Sequence, residues 1–255
     1  MVLSELQYAY RPYMEEGECL NSREYLKRYA YIYCYVLSFF LLAAALVRQG
    51  VQTVSSQQAL ANGIRIVIDA GHGGIDGGTT SVSGVLEKEL NLQIAQRLEK
   101  LMLLLGHRPV MTRTTGESVA TEGDTIREQK RSDLQNRVEL VNQSSQTILV
   151  SIHQNHYPDS RYTGPQIFYA DDETSRSIAQ KLQQSMNTAL QTRREVKKAD
   201  GVYLMSHISC PGILVECGFL SNHEEDARLQ TPQHQKVLCC LIAASLMEYV
   251  KTPTV

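Results

Sequence analysis

From Ile64 almost to the carboxyl terminus, short apolar runs alternate with amphipathic stretches of helical period, which is the pattern of an α/β domain. Ile66, Val67 and Ile68 form a β-branched run bounded by turn signals, as a strand buried on both faces does. Leu90, Ile94, Leu98, Leu101, Met102 and Leu105 make one stripe of a helix running from about Glu87 to Leu105, stopped by Gly106. The pattern then predicts a strand at Pro109 to Thr112, a helix at about Ser132 to Asn142, and a strand from Thr147 to Ile152 that ends on His153. A strand at Gln166 to Tyr169 follows, then a helix near Ser175 to Leu190 with Ile178, Leu182, Met186 and Leu190 as core. Two more strands are expected, at Val202 to Leu204 and at Ile213 to Val215, the second leading into Glu216. A closing helix has Thr231 as N-cap and Pro232 at its first position, and runs to about Val250.

Ahead of this domain, residues 29–47 carry no charge and lie between Arg28 and Arg48, enough helix to span about 28 Å of a hydrocarbon core about 30 Å thick. Tyr29, Tyr31, Tyr33 and Tyr35 cluster at one end, where an interfacial aromatic belt sits. Arg11, Arg23, Lys27 and Arg28 precede the run and only Arg48 and Arg65 follow closely, which leaves the amino terminus in the cytoplasm and the domain outside. The alternatives are a buried core helix and a cleaved signal peptide, the second prompted by Ala43, Ala44 and Ala45. The expected organisation is a cytoplasmic tail (1–28), a transmembrane signal-anchor helix (29–47), a polar linker (48–63) and a catalytic domain (64–251), the last a single α/β domain with a mostly parallel central sheet flanked by helices.

Composition narrows the partners. A formal net charge of −2 gives no basic excess of the kind a nucleic-acid-binding surface needs, so nucleic acid is excluded as an expected partner. The six cysteines show neither a C-x-x-C pair nor zinc-finger spacing and read as free or buried thiols; Cys210 and Cys217 could pair across a loop in an oxidising compartment.

Candidate chemistry collects where elements begin or end. His72 follows the first strand in a glycine-rich turn, His153 ends another strand, and Glu87 opens a helix, whose dipole favours the ionised carboxylate a metal needs. Two histidines and a carboxylate with an open fourth position make a catalytic zinc site, and the ends of adjacent strands can converge at one sheet edge. Glu89 reads as a solvated charge. Glu216 emerges from a buried apolar strand; it could be a general base to a metal-activated water, a salt-bridge partner, or a capping acceptor for the Gly218 loop, and spacing favours none of these.

The segments IVIDAGHGGIDGG, GVLEKELNLQIAQRL, SIHQN and PGILVECGFLSN, in this order, resemble the motif set of the zinc-dependent N-acetylmuramoyl-L-alanine amidases, over about residues 64 to 251. By position, the resemblance makes His72, Glu87 and His153 the zinc ligands and Glu216 the catalytic glutamate, acting on the amide between the lactyl group of muramic acid and L-alanine in peptidoglycan. The stretches IREQKRSDLQNRVELVN and TGPQIFYA are similar to those of the germination-specific amidases of spore cortex. That similarity implies stem removal in the forespore membrane or cortex space, a partner deacetylase that completes muramic-δ-lactam, and leaves room for a lipoprotein activator. His156 departs from the small residue usual in the family and is read as a surface or groove residue, while His207 is a candidate for the groove lining. Arg113 and Arg137 fit a structural salt bridge as well as a substrate contact. The rival readings are another extracytoplasmic zinc hydrolase, such as a deacetylase or carboxypeptidase, and a catalytically silent wall-binding or regulatory domain.

Overall fold

The structure is a computed structural model that describes residues 30–31, 33–42 and 63–251. It divides into two units, residues 1–53 and 54–255. In the first, residues 30–31 and 33–42 are helical, with the side chains of Tyr31, Tyr33, Phe39, Phe40, Leu41 and Leu42 exposed. No helix among the described residues is long and apolar enough to cross a membrane. The tail at 1–28, all but Gly63 of the linker at 48–63, and residues 29, 32 and 43–47 of the anticipated span lie outside the described residues.

The second unit holds β1 (Arg65–Ala70), α1 (Glu87–Leu104), β2 (Val110–Met111), α2 (Ile126–Asn142), β3 (Thr147–Asn155), β4 (Gln166–Tyr169), α3 (Glu173–Leu190), β5 (Lys197–Lys198), α4 (Tyr203–His207), β6 (Gly212–Phe219), α5 (His223–Leu229) and α6 (Pro232–Lys251). The six strands form one sheet in the order β2-β1-β3-β6-β4-β5. Every pairing is parallel except that of β4 with β6. The sheet is therefore mixed, with the mostly parallel character the apolar strands call for. One antiparallel strand lets the chain return to the edge without a further crossover helix.

Helices cover both faces. The stripe Leu90, Ile94, Leu98 and Met102 of α1 packs with Ile178, Leu182 and Met186 of α3 and Leu238, Ile242 and Leu246 of α6 against Ile66, Ile68, Ile148 and Val150. On the opposite face Val141 of α2 and Leu204 and Met205 of α4 cover Val67, Leu149 and Leu214. Alternate residues of β1, β3 and β6 thus point into two separate cores, which is why these strands read as continuous apolar runs. Truncating a fully buried member such as Leu98 to Ala should cost about 2–5 kcal/mol.

Helix α2, the residues of α4 and the ends of β3 and β6 depart from the sequence pattern, which also does not anticipate β5 or α5. Helix α2 begins at Ile126, not Ser132, on a capping box in which Thr125 and Glu128 satisfy each other's backbone N–H groups. Its first turns, Arg127 to Arg131, are polar and show no apolar stripe. The strand expected at Val202 to Leu204 is instead the entry to α4, with Leu204 and Met205 buried. A three-residue apolar run carries too little period to separate the two outcomes. Strands β3 and β6 also run on past the histidine and glutamate, to Asn155 and Phe219.

Candidate metal centre

Strands β1, β3 and β6 are adjacent and parallel, so their carboxyl ends share one edge of the sheet. His72 lies two residues past β1 with φ 62°, a left-handed conformation unusual for a residue with a Cβ. Several bonds hold it there. The Arg137 guanidinium donates to the His72 carbonyl at 2.6 Å, and Gly73 and Asp76 exchange backbone hydrogen bonds at 2.9 and 3.0 Å. The Asp76 carboxylate lies 2.9 Å from His72 Nδ1, which leaves Nε2 facing Glu87 at 3.1 Å. A carboxylate on the far nitrogen of a metal-ligating histidine fixes its ring and tautomer.

Glu87 is the first residue of α1, where the helix dipole favours its negative charge. Its Oε2 accepts from the Thr79 amide at 2.9 Å. Its Oε1 accepts from the Gln154 amide at 3.1 Å and from Asn91 Nδ2 at 3.3 Å. Burial alone would raise the Glu87 pKa, but hydrogen bonds and charge from His153 and His72 carry it far below the usual carboxylate range. His153 Nδ1 stands 3.1 Å from Glu87 Oε1.

Gly71 and Gly78 make room for these rings and carboxylates. A Cβ on Gly71 would sit 2.2 Å from His153 Nε2, and one on Gly78 would sit 2.6 Å from Glu87 Oε2, with Gly78 already at φ 67°. The glycine-rich loop thus serves as the wall of a side-chain cluster.

One donor atom each from His72, Glu87 and His153 lies within 4.8 Å of the others. The donor set fits zinc: two imidazoles, one oriented by Asp76, and a buried carboxylate already ionised, with room for a fourth ligand. Glu216 completes the group from β6, where it lies beside His153 in the strand pairing. Its Oε2 is buried and accepts no hydrogen bond within the chain. Burial pushes its pKa up to about 7, with the histidines pulling down and Glu87 adding to the rise. All four side chains line one cleft of about 640 Å³, whose lining also includes Lys130 of α2 and Tyr203 of α4.

The remaining candidates separate clearly. His156 is exposed and lies outside the cleft lining. His207 does not line the cleft either; its ring stacks on Tyr203 at 3.9 Å, and Tyr203 is the residue that faces the cleft. Glu89 is exposed, as its place on the helix suggests. The acceptor that caps the end of β6 is Glu225, not Glu216, taking the amides of Phe219 and Gly164 at 2.7 Å each. Arg113 and Arg137 are structural: Arg113 donates to the carbonyls of Ala70, Gly71 and Lys88, and buried Arg137 pairs with Asp69 and Asp133. Cys210, Cys217 and Cys239 are buried free thiols. Sequence reasoning passes over Asp76, Asn91 and Lys130. The four-residue spacings from His72 to Asp76 and from Glu87 to Asn91 are the available signals.

Two histidines and two carboxylates gathered at the carboxyl edge of a mostly parallel sheet, three of them able to hold a metal ion, are the kind of site an α/β hydrolase carries. The chain belongs to the N-acetylmuramoyl-L-alanine amidase family, whose model matches residues 66–248. The germination-specific N-acetylmuramoyl-L-alanine amidase of Bacillus subtilis (strain 168) is 36% identical over 191 residues, covering 72% of this chain and 78% of that protein. The CwlD amidase from Clostridioides difficile, solved in complex with the GerS lipoprotein, superposes with a TM-score of 0.70 at 33% identity, covering 73% of this chain and 98% of that one. The N-acetylmuramoyl-L-alanine amidase from Clostridium difficile 630 gives a TM-score of 0.65 at 28% identity, over 76% of this chain and 100% of that one.

Proposed function

We propose that this amidase is zinc-dependent, holds its metal on His72, Glu87 and His153, uses Glu216 as general base and acid, and removes peptide stems from muramic acid in spore cortex. The observation that carries the reading is the convergence of these four side chains on one cleft within a chain of the amidase family. Bound zinc supplies Lewis acidity to the scissile lactyl carbonyl and to the attacking water. Glu216 accepts the proton of that water through a carboxylate whose oxygen has no competing partner in the chain, and returns it to the departing L-alanine nitrogen. Asp76 keeps His72 turned with Nε2 inward, while Thr79, Gln154 and Asn91 hold the Glu87 carboxylate in place.

The cortex assignment is supported by the likeness to the germination-specific amidase, and a lipoprotein activator by the CwlD amidase having been solved with one. A partner deacetylase would then complete muramic-δ-lactam. For location, the uncharged run at 29–47 and the positive residues before it support a membrane anchor with the catalytic domain outside. A reporter fused after Lys251 tests this: activity in the cytoplasm sinks the anchor. The test of function is mass spectrometry of spore-cortex peptidoglycan digested by the purified intact protein, with zinc and with chelator. Free stems beginning at L-alanine, formed only with zinc, are expected; loss of an acetyl group or of a terminal amino acid would instead mark a deacetylase or carboxypeptidase.

A further inference from the structure

We infer that Lys130 reads the peptide half of the substrate, pairing with a free carboxylate on the stem residue that follows the alanine at the scissile amide. The inference rests on the amidase reading above. Lys130 belongs to the polar opening turns of α2 and lines the same cleft as Glu216. Its ammonium lies 2.8 Å from Asp76 Oδ1, and its side chain is still 48% exposed. An ammonium carries three N–H donors, so pairing with Asp76 leaves donors turned to the cleft.

The other charged groups at this wall are committed. Arg137, the second fixed cation of the lining, is buried and donates to Asp69, Asp133 and the carbonyls of Ala70 and His72. Asp69 is held by Thr112 and Ser151 as well as Arg137, and Asp133 accepts from the Val119 amide. Among the described residues of the cleft, an arriving anion therefore meets one lysine with donors to offer.

The chemistry of the stem supplies such an anion. Its second residue is joined through the side-chain carboxyl, so the α-carboxyl is either free or present as a primary amide. With consecutive Cα atoms about 3.8 Å apart, that group lies about 6–8 Å from the scissile nitrogen. Lys130 is joined to the His72 ring through a single carboxylate, by contacts of 2.8 Å to Asp76 and 2.9 Å from Asp76 to His72, so it stands one side chain away from the candidate metal ligands. The bland alternative is that Lys130 serves only to balance Asp76 and so acts through His72.

The test uses the intact zinc-loaded protein and two soluble muropeptides that differ only in a free acid or a primary amide at this carboxyl. A charge-assisted hydrogen bond predicts about a tenfold preference of the wild type for the acid, expressed in KM. K130M should collapse the acid-to-amide ratio of kcat/KM to near one, and K130R should retain most of it, with zinc content measured on each preparation. A wild type indifferent to the two substrates overturns the inference. So does a K130M variant that loses the same proportion on both, or loses zinc, because then Lys130 acts through Asp76 and His72. Wild type that releases no stem from either substrate refutes the amidase reading itself, a separate failure.

Discussion

Glu216 stands beside His153 across the parallel β3–β6 pairing, so two neighbouring strands present a carboxylate and an imidazole on the same face of the sheet. Side chains in register on parallel strands project to one side, and this register brings a residue 63 positions beyond His153 into the cluster.

Glu216→Gln keeps shape and hydrogen-bonding capacity and removes the proton acceptor. Zinc content should stay at one per chain while turnover falls by about 10²–10⁴. The melting temperature should hold or rise, because the variant removes a carboxylate whose Oε2 is buried without a partner. The wild-type kcat/KM should rise with pH along an acid limb no higher than about 7, since burial raises this pKa to about 7 and a bound cation favours the ionised form. Turnover within tenfold of wild type, at full zinc, removes Glu216 from the mechanism.

The main lines of this site were legible in the sequence because each functional group follows or opens a strongly patterned element. Ile66 to Ile68 leads into His72, the α1 stripe fixes Glu87 at its start, and the run from Thr147 delivers His153. What could not be read depends on geometry between elements. Asp69 looks like a strand residue, yet it is the buried partner of Arg137, 68 positions away. Val202 to Leu204 lacks enough residues for its period to speak, and tertiary packing of Leu204 and Met205 decides for a helix.

Gly71→Ala places a methyl group 2.2 Å from His153 Nε2, far inside van der Waals contact, so the ring must move. Zinc affinity should fall about 10- to 100-fold, the cost typical of disturbing a ligand's support. Far-ultraviolet circular dichroism should remain native, because the cores on both faces of the sheet do not involve this atom. Competition with a chelator measures the affinity, and an unchanged value would mean that His153 is not a ligand.

Arg137→Met strands the Asp69 carboxylate, which is 1% exposed; burial pushes its pKa up, and Arg137 foremost holds it below the usual range. Removing one partner of a buried pair costs about 3–5 kcal/mol, and Lys cannot supply the same planar fork of donors. Both Arg137→Met and Arg137→Lys should therefore melt well below wild type, with Arg137→Met the worse. For wild type, a depressed Asp69 pKa means that its contribution is present above the ordinary carboxylate range and lost as pH falls through the folded value. The pH dependence of melting below about 4 should flatten in the variants. Melting within about 2 °C of wild type would show that the network is dispensable.

His72 gives the last prediction, because its charge state opposes metal binding. Burial lowers its pKa, but hydrogen bonds and charge from Asp76 and Glu87 outweigh this and raise it to about 9 in the metal-free protein. At pH 7 the imidazole is therefore protonated, and Nε2 must lose its proton before it can ligate zinc. The raised pKa stabilises the metal-free fold fully below about 6.5 and ceases to do so as pH climbs through about 9. Zinc uptake at pH 7 should release close to one proton from His72 and up to about half of one more from Glu216, whose pKa lies near 7, and above pH 7 apparent zinc affinity should rise about tenfold per pH unit until it levels near pH 9. Calorimetry in two buffers of different ionisation enthalpy counts the protons directly. Asp76→Asn removes the strongest of the raising contacts, so its titration should release less than the wild type and level at a lower pH. Equal proton release in wild type and Asp76→Asn would show that Asp76 does not set the charge of His72.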